Sequence, residues 1–379
     1  MSALISVHEV RAALLLRQEL ALIDLREEAS FALGHPLFAA QLPIDRIEFE
    51  APVRIPRKDT PIALYGDEHD AERGREKLEQ LGYTRVALVR GGLDAWRAAG
   101  FELFADVNSY SKAFGELVEA RRHTPSLSAE EVAALLEQGS DIAIVDARRF
   151  EEYQTMSIPT GTSIPGAELV LRVPGVAPKP HTTVIVNCAG RTRSIIGAQS
   201  LINAGLPNRI VALRNGTIGW KLAGQSLQSG QSRRAPEPST KAVSDARRKA
   251  REVAYRSGVR HIGRAELARL SEDSTRTLYQ FDVRTPEEYL AGHRANFRSA
   301  PGGQLVQETD SFAPVRGARI VLTDELGARA EMTASWLAQM AWEVYVLDDS
   351  SEQRSAGQDS AALPPRASRG RYKRPYEGT

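Results

Sequence analysis

The sequence predicts an α/β protein of three tandem units, each a mostly parallel sheet flanked by helices. Three observations predict it: a strand motif that recurs three times, a constant spacing inside each copy, and the alternation of apolar strands with helical patterns. The motif is a short apolar run ending in Asp-x-Arg, followed by acidic residues suited to a helix start. It reads Leu22-Ile23-Asp24-Leu25-Arg26-Glu27-Glu28, then Ile144-Val145-Asp146-Ala147-Arg148-Arg149-Phe150-Glu151-Glu152-Tyr153, then Gln280-Phe281-Asp282-Val283-Arg284-Thr285-Pro286-Glu287-Glu288-Tyr289.

Each copy leads to a second apolar strand, a polar loop and a helical pattern. These strands are Pro61-Ile62-Ala63-Leu64-Tyr65 before Gly66, Thr183-Val184-Ile185-Val186-Asn187 before Cys188, and Ile320-Val321-Leu322-Thr323 before Asp324. Asp24 and Gly66, Asp146 and Cys188, and Asp282 and Asp324 are each 42 positions apart, a register that three unrelated folds would not share. The first two units also close alike, with Gly92 four residues before Trp96 and Gly216 four before Trp220; this suits a tight turn into a helix packed by the ring. The third unit lacks that ending. The expected divisions are 1–103, 122–226 and 258–350, with linkers near 103–122 and 226–258 and a polar, basic tail over 351–379. The second linker turns helical near Ser244-Asp245-Ala246-Arg247-Arg248-Lys249-Ala250.

At 379 residues the chain is long enough for several cores, and its net charge of +1 argues against a broad nucleic-acid or anionic-membrane surface. No apolar run approaches the roughly 20 residues of a membrane span, and the N-terminus has no signal-peptide pattern. A cytoplasmic protein is therefore expected. The single cysteine rules out an intramolecular disulfide and any site of several thiolates. Neither a metal nor a cofactor is expected.

That cysteine opens the loop Asn187-Cys188-Ala189-Gly190-Arg191-Thr192-Arg193-Ser194, between a strand and a helical pattern. In parallel sheets, ligands bind at this carboxyl edge. The free N–H groups of a helix start stabilise an anion. Gly190 lets successive amides turn inward as a nest, and Arg191 and Arg193 add positive charge. Such a cradle suits a thiolate and equally a terminal persulfide sulfur. The nearest histidine in sequence, His181, lies roughly 20 Å away along an extended strand, so no Cys–His dyad is required.

The Asp-x-Arg strand end, the Cys loop and the closing Gly-x-x-x-Trp resemble rhodanese domains over nearly all of residues 1–350. Gly34-His35 and Gly292-His293 match a Gly-His usual in that family, where the middle unit has Ser157-Ile158-Pro159-Thr160-Gly161. The resemblance implies three tandem rhodanese-like domains and a sulfurtransferase. Its nucleophile would be Cys188, its pocket Ala189, Gly190, Arg191, Thr192 and Arg193, with Asp146 and Arg148 as structural supports. Sulfane sulfur would pass from a small-molecule donor such as thiosulfate to cyanide, a small thiol or a protein acceptor. Gly66 and Asp324 at the nucleophile position imply that the outer units are catalytically silent.

Two departures accompany the resemblance. Gly190 stands two residues after the cysteine rather than three, and the place of a sulfonate-binding arginine offers Arg149 and Glu151-Glu152. A Cys-dependent phosphatase or arsenate reductase is the rival enzyme; it places five residues between Cys and Arg, whereas four separate Cys188 from Arg193. The narrower cradle favours one sulfur atom over a tetrahedral phosphoryl group. A non-enzymatic persulfide sensor or scaffold is the third reading, and turnover with a small thiophile separates it from an enzyme.

Overall fold

The computed structural model describes residues 3–348. The 351–379 tail read from the sequence lies outside the described residues. Three sheets are present, all parallel but for one edge pair. The middle sheet runs Ser126–Leu127, Ile210–Leu213, Thr183–Asn187, Ile142–Asp146, Thr162–Ser163, which puts the strand leading to Cys188 at its centre. The third runs Arg260–Ile262, Glu343–Leu347, Arg319–Thr323, Leu278–Asp282, Arg298–Ser299. Strands such as Leu20–Asp24 and Ile62–Tyr65 are buried throughout, because helices cover both faces of a parallel sheet.

The constant spacing has a simple physical origin. Asp24 lies opposite Tyr65, Asp146 opposite Asn187 and Asp282 opposite Thr323, each pair in register on adjacent parallel strands. The next residue is then the first to leave the sheet. In all three units the Arg of Asp-x-Arg grips its Asp with two nitrogens and reaches a backbone carbonyl eight residues on, of Gly34, Met156 or Gly292. Trp96 and Trp220 are buried, and their indole N–H groups donate to the carbonyls of Glu102 and Ser226.

Each of the two linkers carries a packed helix. Ser109–Arg122 is a helix packed on helix Thr192–Asn203, and it approaches so closely that a Cβ on Gly115 would lie 3.0 Å from the Thr192 methyl. Thr240–Arg256 is a helix with Ala246, Ala250, Val253 and Ala254 buried, lodged between helices Ala328–Gln339 and Leu169–Val176. The units also share a sheet. Val315–Arg316 of the third unit pairs antiparallel with Leu20 and Ala21 of the first. Gly317 makes the approach feasible: it has φ +81°, and a Cβ there would lie 2.4 Å from the Arg17 carbonyl. One apolar cluster runs through both outer units, from Ile23 and Leu64 to Phe281 and Leu322. Among the described residues no helix is long and apolar enough to cross a membrane.

Candidate active site

Cys188 follows the central strand of the middle sheet, and helix Thr192–Asn203 starts four residues later. The thiol-bearing residue is only 1% exposed, whereas Ala189, Gly190, Arg191 and Thr192 around it are half-buried. The loop is clamped from behind. The Cys188 carbonyl accepts from the Thr217 N–H at 2.8 Å and from its hydroxyl at 3.0 Å, and the Ala189 carbonyl accepts from the Ile218 N–H at 3.0 Å. Asn187 ties this clamp to the supports: its Nδ2 donates to Asp146 Oδ2 at 2.8 Å and to Thr217 Oγ1 at 3.2 Å. Asp146 and Arg148 are buried and paired with each other at the strand end.

Gly216 is where the closing motif meets the loop. Its φ is +53°, and a Cβ there would lie 2.3 Å from the Cys188 carbonyl oxygen and 2.7 Å from that of Gly190. No side chain fits. Gly92, its counterpart in the first unit, has nothing within 4 Å of the same point.

Both loop arginines are already paired with carboxylates. Arg191 grips Glu116 at 2.8 and 2.9 Å and also contacts Glu119, both on helix Ser109–Arg122. Arg193 forms a two-pronged pair with Glu152 at 2.7 and 2.9 Å. Burial alone would raise the Glu152 carboxyl, but Arg193, with Arg149 and Arg148 behind it, holds it down to about 2. The converse holds for Arg193, whose charge burial disfavours but Glu152 and the neighbouring Cys188 hold in place. Because the folded-state value lies below the ordinary 4.5, this pair stabilises the fold fully above pH 4.5 and loses that contribution as pH falls towards 2. Glu152→Gln should therefore cost about 3 kcal/mol in urea unfolding at neutral pH, with the deficit against the unaltered protein closing in that acid window. A deficit unchanged by pH would show that packing, not charge, is what Glu152 supplies.

The third unit repeats this construction with a carboxylate in the thiol's place. Asp324 accepts from the backbone N–H of Leu326 at 3.2 Å, from that of Arg329 at 2.9 Å and from Arg329 Nε at 3.0 Å. Arg329 in turn grips Glu288 at 2.6 and 3.0 Å, as Arg193 grips Glu152. Gly190 and Arg193 occupy the corresponding places in the middle unit, and their N–H groups have no acceptor among the described residues. In the first unit the loop is shorter: helix Glu68–Gln80 begins two residues after Gly66, so Glu68 and Asp70 sit in the helix's first turn rather than in a loop.

Of the residues singled out in sequence, Cys188, Ala189, Gly190 and Arg191 form the loop after the central strand, Thr192 and Arg193 open the helix that follows, and Asp146 and Arg148 lie at the end of the adjacent strand. His181 is exposed, beside Asp141 and before the strand that ends at Cys188. Asn187, Thr217, Glu116 and Glu119 had no role in the sequence reading, and Glu152 entered it only as a carboxylate near the place of a sulfonate-binding arginine. Among the described residues no group of three or more His, Cys, Asp or Glu is placed to hold a metal.

The rhodanese-like domain model matches residues 6–99 and 128–223. The chain belongs to the rhodanese family. It is similar over 96% of its length, at 60% identity and a TM-score of 0.93, to a thiosulfate sulfurtransferase from Pseudomonas aeruginosa, of which the match covers 70%. A protein from Anabaena sp. matches at 20% identity over 29% of this chain and 86% of its own, with a TM-score of 0.25. A Rhodopseudomonas palustris protein described as a possible tyrosine phosphatase matches at 25% identity over 31% of this chain and 93% of its own, with a TM-score of 0.27.

Proposed function

We propose that this chain is a sulfurtransferase that carries sulfane sulfur as a persulfide on Cys188. The observation that supports this most is the occupied cradle of the third unit. The carboxylate oxygens of Asp324 lie two bonds beyond Cβ, and the terminal sulfur of a cysteine persulfide lies two bonds beyond Cβ as well. A persulfide on Cys188 would thus set its anionic sulfur where two N–H groups and an arginine already meet an anion in the sister loop.

The reaction has two displacements. The Cys188 thiolate attacks the outer sulfur of thiosulfate; a new S–S bond forms, the old one breaks, and sulfite leaves with its electron pair. Cyanide or a thiolate then attacks the terminal sulfur, breaking the new bond and restoring the Cys188 thiolate. The loop N–H groups hold the negative charge at each stage. The clamp from Thr217 and Ile218 fixes the sulfur's position, and the carboxylate partners of Arg191 and Arg193 hold the rim rigid. The outer units contribute structure rather than a second centre, since neither Gly66 nor Asp324 can accept sulfur. A small donor fits so enclosed a thiol, and a protein acceptor would meet the partly exposed loop. We place the protein in the cytoplasm, where a lone thiol stays reduced.

Steady-state turnover tests the reading. Purified protein with thiosulfate and cyanide should release thiocyanate, and Cys188→Ser should lower the rate to background. Thiocyanate release by Cys188→Ser, or Cys188-dependent hydrolysis of an aryl phosphate in its place, would overturn it.

A further inference from the structure

The middle and third units meet about a local pseudo-twofold axis, visible in contacts that occur in reciprocal pairs. Equivalent residues are 136 positions apart. A Cβ built on Gly302 would lie 2.8 Å from Ala167 Cβ, and one on Gly303 would lie 3.3 Å from the Gly166 nitrogen; Gly166 corresponds to Gly302, and Ala167 to Gly303. Helix Ala328–Gln339 packs on the 166–168 turn, and helix Thr192–Asn203 reciprocally packs on Gly302–Gln307. A small cavity straddles the axis, lined in equivalent pairs by Ile196 with Met332, Gly197 with Thr333 and Ser200 with Trp336.

The symmetry breaks in its charges. Across the interface, Glu168 of the middle unit reaches Arg329 of the third, Oε1 to Nη1 at 3.3 Å. The reciprocal pair is Arg193 with residue 304, which is Gln304. It is 7% exposed, and its side-chain amide nitrogen has no partner among the described residues. Arg329 therefore answers to three carboxylates, Asp324, Glu288 and Glu168. In the middle unit Cys188 replaces the first, Gln304 replaces the third, and only Glu152 remains.

We propose that Gln304, carried by the third unit, is a positioning residue of the Cys188 centre: as the neutral counterpart of Glu168, at the place the pseudo-twofold sets towards Arg193, it adds no second carboxylate to that arginine and leaves its charge to an anionic sulfur. It acts on the sulfur through Arg193, not by touching it. A glutamate there would reproduce the third unit's charge and oppose entry of any anionic reagent. The inference rests on the reading of Cys188 as the reacting centre and explains why a silent unit packs against it.

The test compares alkylation of Cys188 by anionic iodoacetate and neutral iodoacetamide, followed by intact mass. Gln304→Glu should lower the iodoacetate-to-iodoacetamide rate ratio about tenfold, and Gln304→Lys should raise it. Gln304→Leu, which removes the amide but adds no charge, should keep the ratio within about twofold, whatever happens to the absolute rates. The kcat/KM for thiosulfate should fall with the ratio in Gln304→Glu. Ratios that ignore the sign of the introduced charge in both charged variants would overturn the proposal. Failure of the unaltered protein to take sulfur from thiosulfate would instead sink the sulfur-transfer reading, while the alkylation ratios would still decide the role of Gln304.

Discussion

Gly216→Val is expected to lower thiosulfate turnover by about 100-fold or more and to destabilise the protein by about 3 kcal/mol. Two independent penalties act at this position. A branched side chain is forced to a φ of +53°, and its Cβ would start 2.3 Å from the Cys188 carbonyl. The only relief is to push the cysteine loop away from helix Gly216–Leu222, which breaks the hydrogen bonds from Thr217 and Ile218 that set the thiol's position. Displacement of a reacting atom by about 1 Å is enough for losses of this order. Gly92→Val is the internal control. It carries the same backbone strain at φ +51° but meets nothing within 4 Å, so it should cost stability of about 1–2 kcal/mol and leave turnover unchanged within about twofold. Circular dichroism melts together with thiocyanate assays on both variants measure the two effects separately. Equal losses of activity in the two would refute the clamp.

Asp324→Ala is expected to be the most destabilising substitution in the third unit, at about 3–5 kcal/mol. Its carboxylate is fully buried, and removing it strands the Leu326 and Arg329 N–H groups and one face of the Arg329 guanidinium. Unpaired buried donors each cost about 1–3 kcal/mol. Burial works against the Arg329 charge, and Asp324 leads the carboxylates that sustain it. Because Arg329 also reaches Glu168, the loss should extend to the contact with the middle unit. Thermal melts should show a fall of roughly 5–10 °C, and Asp324→Asn should recover only part of it, since its amide NH2 faces donors. A melting temperature within about 1 °C of the parent would show that the occupied cradle contributes nothing to the fold.

Much of this architecture was legible in the sequence because the strand motif is local and the register is rigid. A parallel pair that sets Asp opposite the last residue of the next strand fixes a spacing that survives in all three units, even where the chemistry has gone. Cys188 could be placed at the strand end for the same reason. Asp324 at the nucleophile position of the third unit was legible as well, and the geometry seats its carboxylate in that unit's own cradle.

What escaped was held by tertiary packing. Helix Ser109–Arg122 carries Tyr110, Phe114, Leu117 and Val118 at helical spacing, so its period was present, but Ser and Gly interruptions gave it the look of a linker. Val315–Arg316 is a two-residue strand with no local signal, defined by the edge it meets in the first unit. The Gly before Trp was read as a turn residue, yet its tight constraint comes from a carbonyl 28 residues earlier in the chain. The charges of Arg191 and Arg193 were legible, whereas their pairing with Glu116, Glu119 and Glu152 required the helices to be in place. Gln304 had no sequence signal at all, because its meaning lies in a symmetry between two packed units.

The central claim is that Cys188 carries the transferred sulfur. Intact mass spectrometry of the protein after incubation with thiosulfate tests it most directly. The account predicts the gain of one sulfur atom, absent in Cys188→Ser and removed on adding cyanide. A protein whose mass does not change, or a sulfur adduct that persists in Cys188→Ser, would contradict it.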